Sequence, residues 1–600
     1  MKHQKMNRIL AAALSAACLV PFAAMVPVDA DAADIMSALE ITQEMGLGFN
    51  IGNSLDSTGY GNYDDITSFE KSYGNPAVTK EMVDTIKAKG FDSVRIPTSW
   101  FRHVTKTTDE NGNPVYTIDS RWLERVKEVV DYAYQQGMYV ILNLHHEEWI
   151  NRSDFATAYD EMAPQLKQMW TQIATYFADY DQHLIFEGMN EPRAANSGAL
   201  EWNGNEACYE VVNKLDNDFI ETVRSVDSPY KDTRLLMIPG YAASAYSSIY
   251  GYLEIPEDDN YIAASVHAYC PYNFAMGDGD HMTFSDTNKT ELDKIFKDIQ
   301  TTFTNEDIPV VIGEFSASNY NNTEARVDWA TYYLNWAKKL GIPCFLWDNN
   351  AINNGSNASE SHGYLDRSSL QWFSASEPVI DAMLSVLDDS SVKWGSERHL
   401  PEYKHSDLSD AIKVIYENAD GGTFAADSNY FDAQMVSGSE LSEDVEIAVQ
   451  YTDIMNPDLN FMDKEWGNWT TVAAYDVDKE KRIAYFSYAD IKKAWGDLST
   501  LNSVCVGTGN SSSRIYKIAL LPAAKLVDPT DPTDPTDPSE TTIKGDINGD
   551  GALNVVDLIG MKRLFFSDAA PSLDVCDWNE DQTFDLLDVV GFSKFLIRKD

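Results

Sequence analysis

Eight short apolar runs separated by amphipathic stretches constrain this chain more than any other feature. They cover residues 49–53, 93–97, 140–145, 184–191, 235–240, 262–267, 309–314 and 343–347. Within them the apolar residues are nearly continuous, the pattern of strands buried on both faces in a parallel sheet covered by helices. The stretch 122–136 shows the partner pattern, with Leu123, Val126, Val129, Val130 and Ala133 on one helical face. Eight such strands with intervening helices predict a closed (β/α)8 TIM barrel over 36–388. A doubly wound open sheet is the competing layout. It would carry a glycine-rich phosphate turn after its first strand, and none stands there.

In a barrel of this kind the C-terminal strand ends form the working face. The proposed strands bring there Asn53, Arg95, His145, Asn190 with Glu191, His267 with Tyr269, Glu314 and Trp347. One carboxylate at a strand end is ordinarily a solvated loop charge, and one histidine is ordinarily structural. Convergence of chemically able residues at several strand ends makes that bland reading a poor one. Strands four and seven lie on opposite sides of the ring, so Glu191 and Glu314 face each other across its mouth. Two facing carboxyl groups suit glycoside hydrolysis, one protonating the leaving oxygen and the other stabilising or trapping the sugar cation. A separation of about 5–5.5 Å gives retention of configuration, and a larger one leaves room for an inverting water. Glu187, at an even spacing before Glu191, is read as facing the barrel at a deeper level. Glu147 and Glu148 are read as loop charges, and His146 as lining the cleft beside His145. Trp100, Trp149, Trp202 and Tyr272 are candidate sugar platforms on loops, of which roughly half are expected to pack under their loops instead.

These residues carry a resemblance. Asn190-Glu191-Pro192, preceded by Phe186-Glu187-Gly188-Met189, resembles the acid/base motif of glycoside hydrolase family 5, and 310–315 resembles its nucleophile strand. Arg95 in Arg-Ile-Pro, His145 in Asn-Leu-His-His, His267-Ala268-Tyr269 and Trp347 match as well, in family order. The opening segment 48–56 is similar to that of the branch rich in endoglucanases and xyloglucanases. The resemblance implies a retaining mechanism with Glu314 as nucleophile and Glu191 as acid/base. Arg95 and Tyr269 would hold the Glu314 carboxylate, and the Glu314 charge would raise the Glu191 pKa. Asn190 would bond the sugar 2-hydroxyl, His145 and His267 would orient hydroxyls, and Trp347 would offer a flat face to the sugar. No cofactor is expected for catalysis. The expected substrate is a β-1,4-glucan, with xyloglucan, mixed-linkage glucan and mannan as rivals. A non-catalytic carbohydrate-binding scaffold component is the reading from another class, and the intact catalytic set argues against it.

Beyond the barrel, 405–525 alternates in short runs at 445–451, 471–475, 482–487 and 514–521, the pattern of an all-β sandwich. Its tryptophans 466, 469 and 495 suggest a carbohydrate-binding module, and a bracing domain is the alternative. A Pro-Thr-Asp repeat over 527–540 is a semi-stiff spacer. It isolates a small α-helical module over 542–600 with two acidic loops. Asp546, Asn548, Asp550, Asn554 and Asp557 stand at positions 1, 3, 5, 9 and 12 of the first; Asp577, Asn579, Asp581, Asp585 and Asp588 repeat the frame in the second. Hard oxygen ligands at these offsets suit calcium. Each loop precedes an apolar stretch, and the pair resembles a dockerin, with Asp rather than Glu closing each loop. Gln582 replaces the usual turn glycine in the second loop. The resemblance implies a cohesin domain of a scaffoldin as partner, met by Val555-Val556, Leu586-Leu587 and Lys562-Arg563.

Lys2, Lys5 and Arg8, the apolar stretch 9–26 and an Ala30-x-Ala32 site read as a signal peptide over 1–32, so the expected location is extracellular. The formal net charge of −48 disfavours nucleic acid and anionic membrane as partners. After loss of Cys18, five cysteines remain, and their spacings suggest buried thiols rather than disulfides or zinc.

Overall fold

The computed structural model describes residues 36–526 apart from 278–281, 353–359, 426–427, 455–456 and 466, together with parts of 544–599. The expected signal peptide and the Pro-Thr-Asp spacer lie outside the described residues. By its internal contacts the chain divides into two units, up to Leu400 and from Pro401 onward.

In the first unit eight parallel strands close into a barrel. They are β1 (Leu47–Ile51), β2 (Ser93–Ile96), β3 (Tyr139–Asn143), β4 (Leu184–Glu187), β5 (Leu236–Pro239), β6 (Ile262–His267), β7 (Val310–Phe315) and β8 (Cys344–Asp348). Each neighbours the next in sequence, and β8 returns to pair with β1 in parallel register, Asn50 opposite Trp347. The expected barrel is therefore present. The helix expected at 122–136 is Ser120–Tyr134, with Leu123, Val126, Val129, Val130 and Ala133 all buried against the sheet.

Two features were not legible beforehand. The helix α1 (Ala38–Met45), started by a capping box between Ser37 and Glu40, packs Ala38, Ile41 and Met45 on the inward residues Ile141, Ile185, Met237, Ala263, Val311 and Phe345. It seals the floor of the barrel, so the open end is the one carrying the polar strand ends. The other feature is a bulge on β7. Val266 pairs with Ile312 but His267 with Glu314, leaving Gly313 as an extra residue. Strict alternation from Val311 would turn Glu314 outward. The bulge turns it into the barrel and sends Phe315 to the outer core, stacked on Tyr333. A Cβ on Gly313 would lie 3.1 Å from His267 Nε2, so glycine also makes room for that ring.

The second unit contains a five-stranded antiparallel sheet in which β9 (Lys413–Thr423), β17 (Arg514–Pro522), β11 (Val445–Thr452), β15 (Ile483–Ser487) and β14 (Asp476–Asp478) follow in that order. A four-stranded sheet runs β10 (Gln434–Met435), β16 (Leu501–Val506), β12 (Asp458–Asp463), β13 (Trp469–Ala473). Ile447, Val449, Ile518 and Leu520 from one sheet and Leu459, Phe461, Val504 and Val506 from the other share one core, which makes the expected sandwich. The four runs read from sequence are β11, β13, β15 and β17; the strands missed, such as β12 with its Asp-Leu-Asn-Phe-Met-Asp, carry polar residues that obscure the period. In the C-terminal segment the helix Leu586–Lys599 carries Val589 and Phe592 against Leu558 and Met561. Asp577 and Asp588 are buried, whereas Asp546, Asn548, Asp550, Asn554, Asp557, Asn579, Asp581 and Asp585 lie outside the described residues.

Candidate active site

The site is built upward from a buried cation. Arg95, fully buried on β2, donates Nε to Glu187 Oε2 at 2.8 Å, Nη1 to Glu314 Oε1 at 2.7 Å and Nη2 to Asn190 Oδ1 at 2.7 Å. Burial opposes its charge, but the two carboxylates outweigh that and raise its pKa. Glu187 lies deeper, as its even spacing from Glu191 implies. It accepts from Asn143 Nδ2 at 2.9 Å and from Ser265 Oγ at 2.6 Å as well, and His267 Nε2 lies 4.0 Å from its Oε1. Asn50 on β1 completes the layer. Its Nδ2 donates to the carbonyls of Gly313 and Phe345, and its Oδ1 accepts from Arg95 Nη1 at 3.0 Å.

Above this layer stand the two facing glutamates. Glu314 accepts from Arg95 on one oxygen and from Tyr269 Oη on the other at 2.8 Å. His267 lies between the carboxyl groups, with Nδ1 2.9 Å from Glu191 Oε1 and 3.7 Å from Glu314 Oε2. One ligand atom each of Glu191, His267 and Glu314 falls within 4.8 Å of the others, so an oxygen of each carboxylate lies within that distance of the other. For His267, burial works against the charged ring, but the charge of Glu314 and the bond to Glu191 raise its pKa. For Glu191, burial favours the neutral acid, but the His267 bond and charge prevail and lower its pKa. This reverses the sequence-based expectation of a raised value. The physical reason is that the imidazole sits between the glutamates and supplies the nearer, opposite charge.

Along the cleft, Trp347 lies parallel to His145 with centroids 5.9 Å apart, and a Cβ on Gly52 would strike the Trp347 ring at 2.6 Å. His145 is held neutral by burial, then by the charges of His146 and Arg95, and its Nδ1 meets Asn143 Nδ2 at 3.1 Å. His146 packs edge-on against His145. Asp56, His145 and His146 also place ligand atoms within 4.8 Å of one another, but Asp56 already accepts the backbone N–H groups of Asn53 and Ser54.

The structure thus gathers Arg95, His145, His146, Asn190, Glu191, His267, Tyr269, Glu314 and Trp347 at one barrel mouth. Asn53 is not the residue of this segment that joins the Arg95 network: β1 ends at Ile51, Asn53 stands beyond it in a left-handed conformation with its N–H donating to Asp56 Oδ2, and the β1 residue in the network is Asn50. The parity of β1 could have shown this, since Asn50 is its one inward polar residue. Glu147 is no loop charge either: it is buried, accepting from the Trp100 N–H and from Trp149 Nε1, and burial pushes its pKa up to about 8. Trp100 is buried and Trp149 packs on the core, whereas Trp202 and Tyr272 are exposed. On the second unit, Trp469 and Tyr430 are exposed edge-to-face neighbours with centroids 5.2 Å apart, and Trp469 Nε1 donates to the buried Asn460 on β12. Trp495 packs against the sandwich core, and Trp466 lies outside the described residues.

Residues 55–353 match the cellulase model of glycosyl hydrolase family 5. Endoglucanase A of Ruminococcus albus is 41% identical over 358 residues, 58% of this chain and 92% of that protein. The chain belongs to glycosyl hydrolase family 5. Endoglucanase A of Clostridium longisporum is 42% identical over 354 residues, and the matched region spans 66% of that protein. A solved family 5 relative, the GH5-4 broad specificity endoglucanase from Ruminococcus flavefaciens, aligns with TM-score 0.55 and 50% identity over 59% of this chain and 99% of its own. This family 5 chain is a glycoside hydrolase of the endo-β-1,4-glucanase type. Residues 413–518 match carbohydrate binding module 65 domain 1.

Proposed function

We propose that the protein is a secreted, retaining endo-β-1,4-glucanase in which Glu314 is the nucleophile and Glu191 the acid/base. The observation that carries the reading is the pair of facing carboxylates, an oxygen of each lying within 4.8 Å of the other with His267 between them, which suits a retaining pair. The Glu314 carboxylate forms a bond to the anomeric carbon as the glycosidic C–O bond breaks, and Glu191 gives its proton to the departing oxygen. The proton shared by Glu191 and His267 across 2.9 Å supplies this step. Water then attacks the glycosyl-enzyme, Glu191 takes its proton, and the bond to Glu314 breaks. Asn190 has its Oδ1 occupied by Arg95, which leaves Nδ2 to donate to the sugar 2-hydroxyl. Trp347 is the flat apolar face in the cleavage subsite. Likeness to a broad-specificity endoglucanase favours several β-glucans over one.

The test is hydrolysis of soluble β-1,4-glucan, xyloglucan, mixed-linkage glucan and mannan, with NMR of the first-formed anomer. Cleavage giving the β-anomer is expected; α-anomer first, or no cleavage of any substrate, refutes the reading. Glu314→Ala should abolish turnover and leave oligosaccharide binding largely intact.

The exposed Trp469–Tyr430 pair is the proposed sugar-gripping face of the second unit. The tail is proposed to be a dockerin that anchors the enzyme to a scaffoldin. The two loops, with oxygen-bearing side chains at the offsets that hard cations take, support this reading. A chelator should abolish cohesin binding without abolishing catalysis.

A further inference from the structure

We infer that Arg193 is a positioning residue that ties the Glu191 carboxyl to a sugar platform on the leaving-group side, the exposed face of Trp202. The inference rests on the reading of Glu191 as acid/base. Arg193 Nη1 donates to the Glu191 backbone carbonyl at 3.0 Å and to Glu191 Oε2 at 3.1 Å. Its guanidinium carbon lies 4.3 Å from the Trp202 ring centroid, and its Nε lies 3.8 Å from Glu201 Oε1. Since His267 occupies Oε1, the guanidinium meets the other oxygen of the acid. An indole stacked on a guanidinium keeps its second face for a ligand, and Trp202 is 54% exposed.

Folding does not require this arm. Tyr241 Oη already pins both ends of the loop, accepting from the Ala194 N–H at 2.9 Å and donating to the Leu200 carbonyl at 2.6 Å. Gly204 fits tightly behind it, where a Cβ would lie 2.6 Å from the Tyr209 ring. The Arg193 N–H is itself fixed by Asn151 Oδ1. One rigid element therefore carries the group that protonates the departing oxygen and the aromatic face that can receive the departing sugar. A lysine cannot replace it fully, because a point charge can pair with Glu191 but does not stack flat on the indole.

The test compares Trp202→Ala, Arg193→Met and Arg193→Lys on a long β-1,4-gluco-oligosaccharide and on an aryl cellotrioside, whose phenol leaving group carries no sugar to the platform. Loss of one stacked sugar should lower kcat/KM for the oligosaccharide about tenfold more than for the aryl glycoside in Trp202→Ala and Arg193→Met. Arg193→Met should also move the alkaline limb of kcat/KM upward by about half a pH unit or more, since a positive charge leaves the acid. Arg193→Lys should restore the limb and not the discrimination. Equal losses on both substrates in Trp202→Ala and Arg193→Met, or an unmoved limb in Arg193→Met, overturn the inference. Azide rescue of Glu191→Ala, giving the β-glycosyl azide, is run alongside. Failure of rescue removes the acid/base reading itself, whereas rescue with an unmoved limb removes only the role of Arg193.

Discussion

Removing Glu187 should do more damage than its distance from the reacting atoms suggests. Its carboxylate is fully buried and accepts from Arg95 at 2.8 Å, Asn143 at 2.9 Å and Ser265 at 2.6 Å. Glu187→Ala leaves the Arg95 guanidinium with one anionic partner and strands two side-chain donors without water. Breaking a buried pair in this way costs about 3–5 kcal/mol. Glu187→Gln separates charge from shape. The amide oxygen can take the bonds from Arg95 and Asn143, and the amide nitrogen can donate to Ser265 once that hydroxyl turns. The remaining loss is the difference between a charge-assisted and a neutral hydrogen bond, about 1–2 kcal/mol. Because the same guanidinium fixes Glu314 Oε1 and Asn190 Oδ1, disorder there should also lower kcat by about one to two orders of magnitude in the Gln variant. Urea unfolding followed by tryptophan fluorescence measures the first effect, and initial rates on a soluble β-glucan measure the second. An alanine variant that loses less than about 1 kcal/mol would show that Arg95 does not depend on this counter-charge and refute the reasoning.

Gly313→Ala should push its Cβ toward His267 Nε2, 3.1 Å away, costing about 1–3 kcal/mol and much of kcat; near wild-type activity would show that the bulge relaxes freely. The raised His267 pKa means that the shared proton persists above the ordinary histidine value of about 6.5 and is lost as pH rises through the raised value. In His267→Asn the proton rests on Glu191 alone, so the alkaline limb of kcat/KM should fall to lower pH, and a stationary limb would contradict the shared proton. His405 bonds Glu446 at 3.0 Å and Asp476 at 2.9 Å, and these partners outweigh burial and push its pKa up to about 9. Its contribution to the second unit is full below about pH 6.5 and is lost as pH rises through about 9, so the melting temperature of that unit should drop over this window. His405→Gln should flatten the drop.

Much of this protein is determined by local sequence. Continuous apolar strands and one-faced helices such as Ser120–Tyr134 dictate a parallel barrel, because only a sheet covered on both sides buries such strands. Strand-end polarity likewise located Arg95, Asn190, Glu191, His267, Tyr269 and Glu314, since each lies on or just beyond a strand whose direction is fixed by that fold. Tertiary structure decided what depends on parity and on neighbours distant in sequence. The β7 bulge, which turns Glu314 inward, is a register relation between strands. Asn50 rather than Asn53 joins the network because β1 ends two residues earlier than its polar run suggests. The direction of the Glu191 pKa followed from where His267 stands between the glutamates, and electrostatics at 3–4 Å is set by side-chain placement that no spacing in the chain encodes.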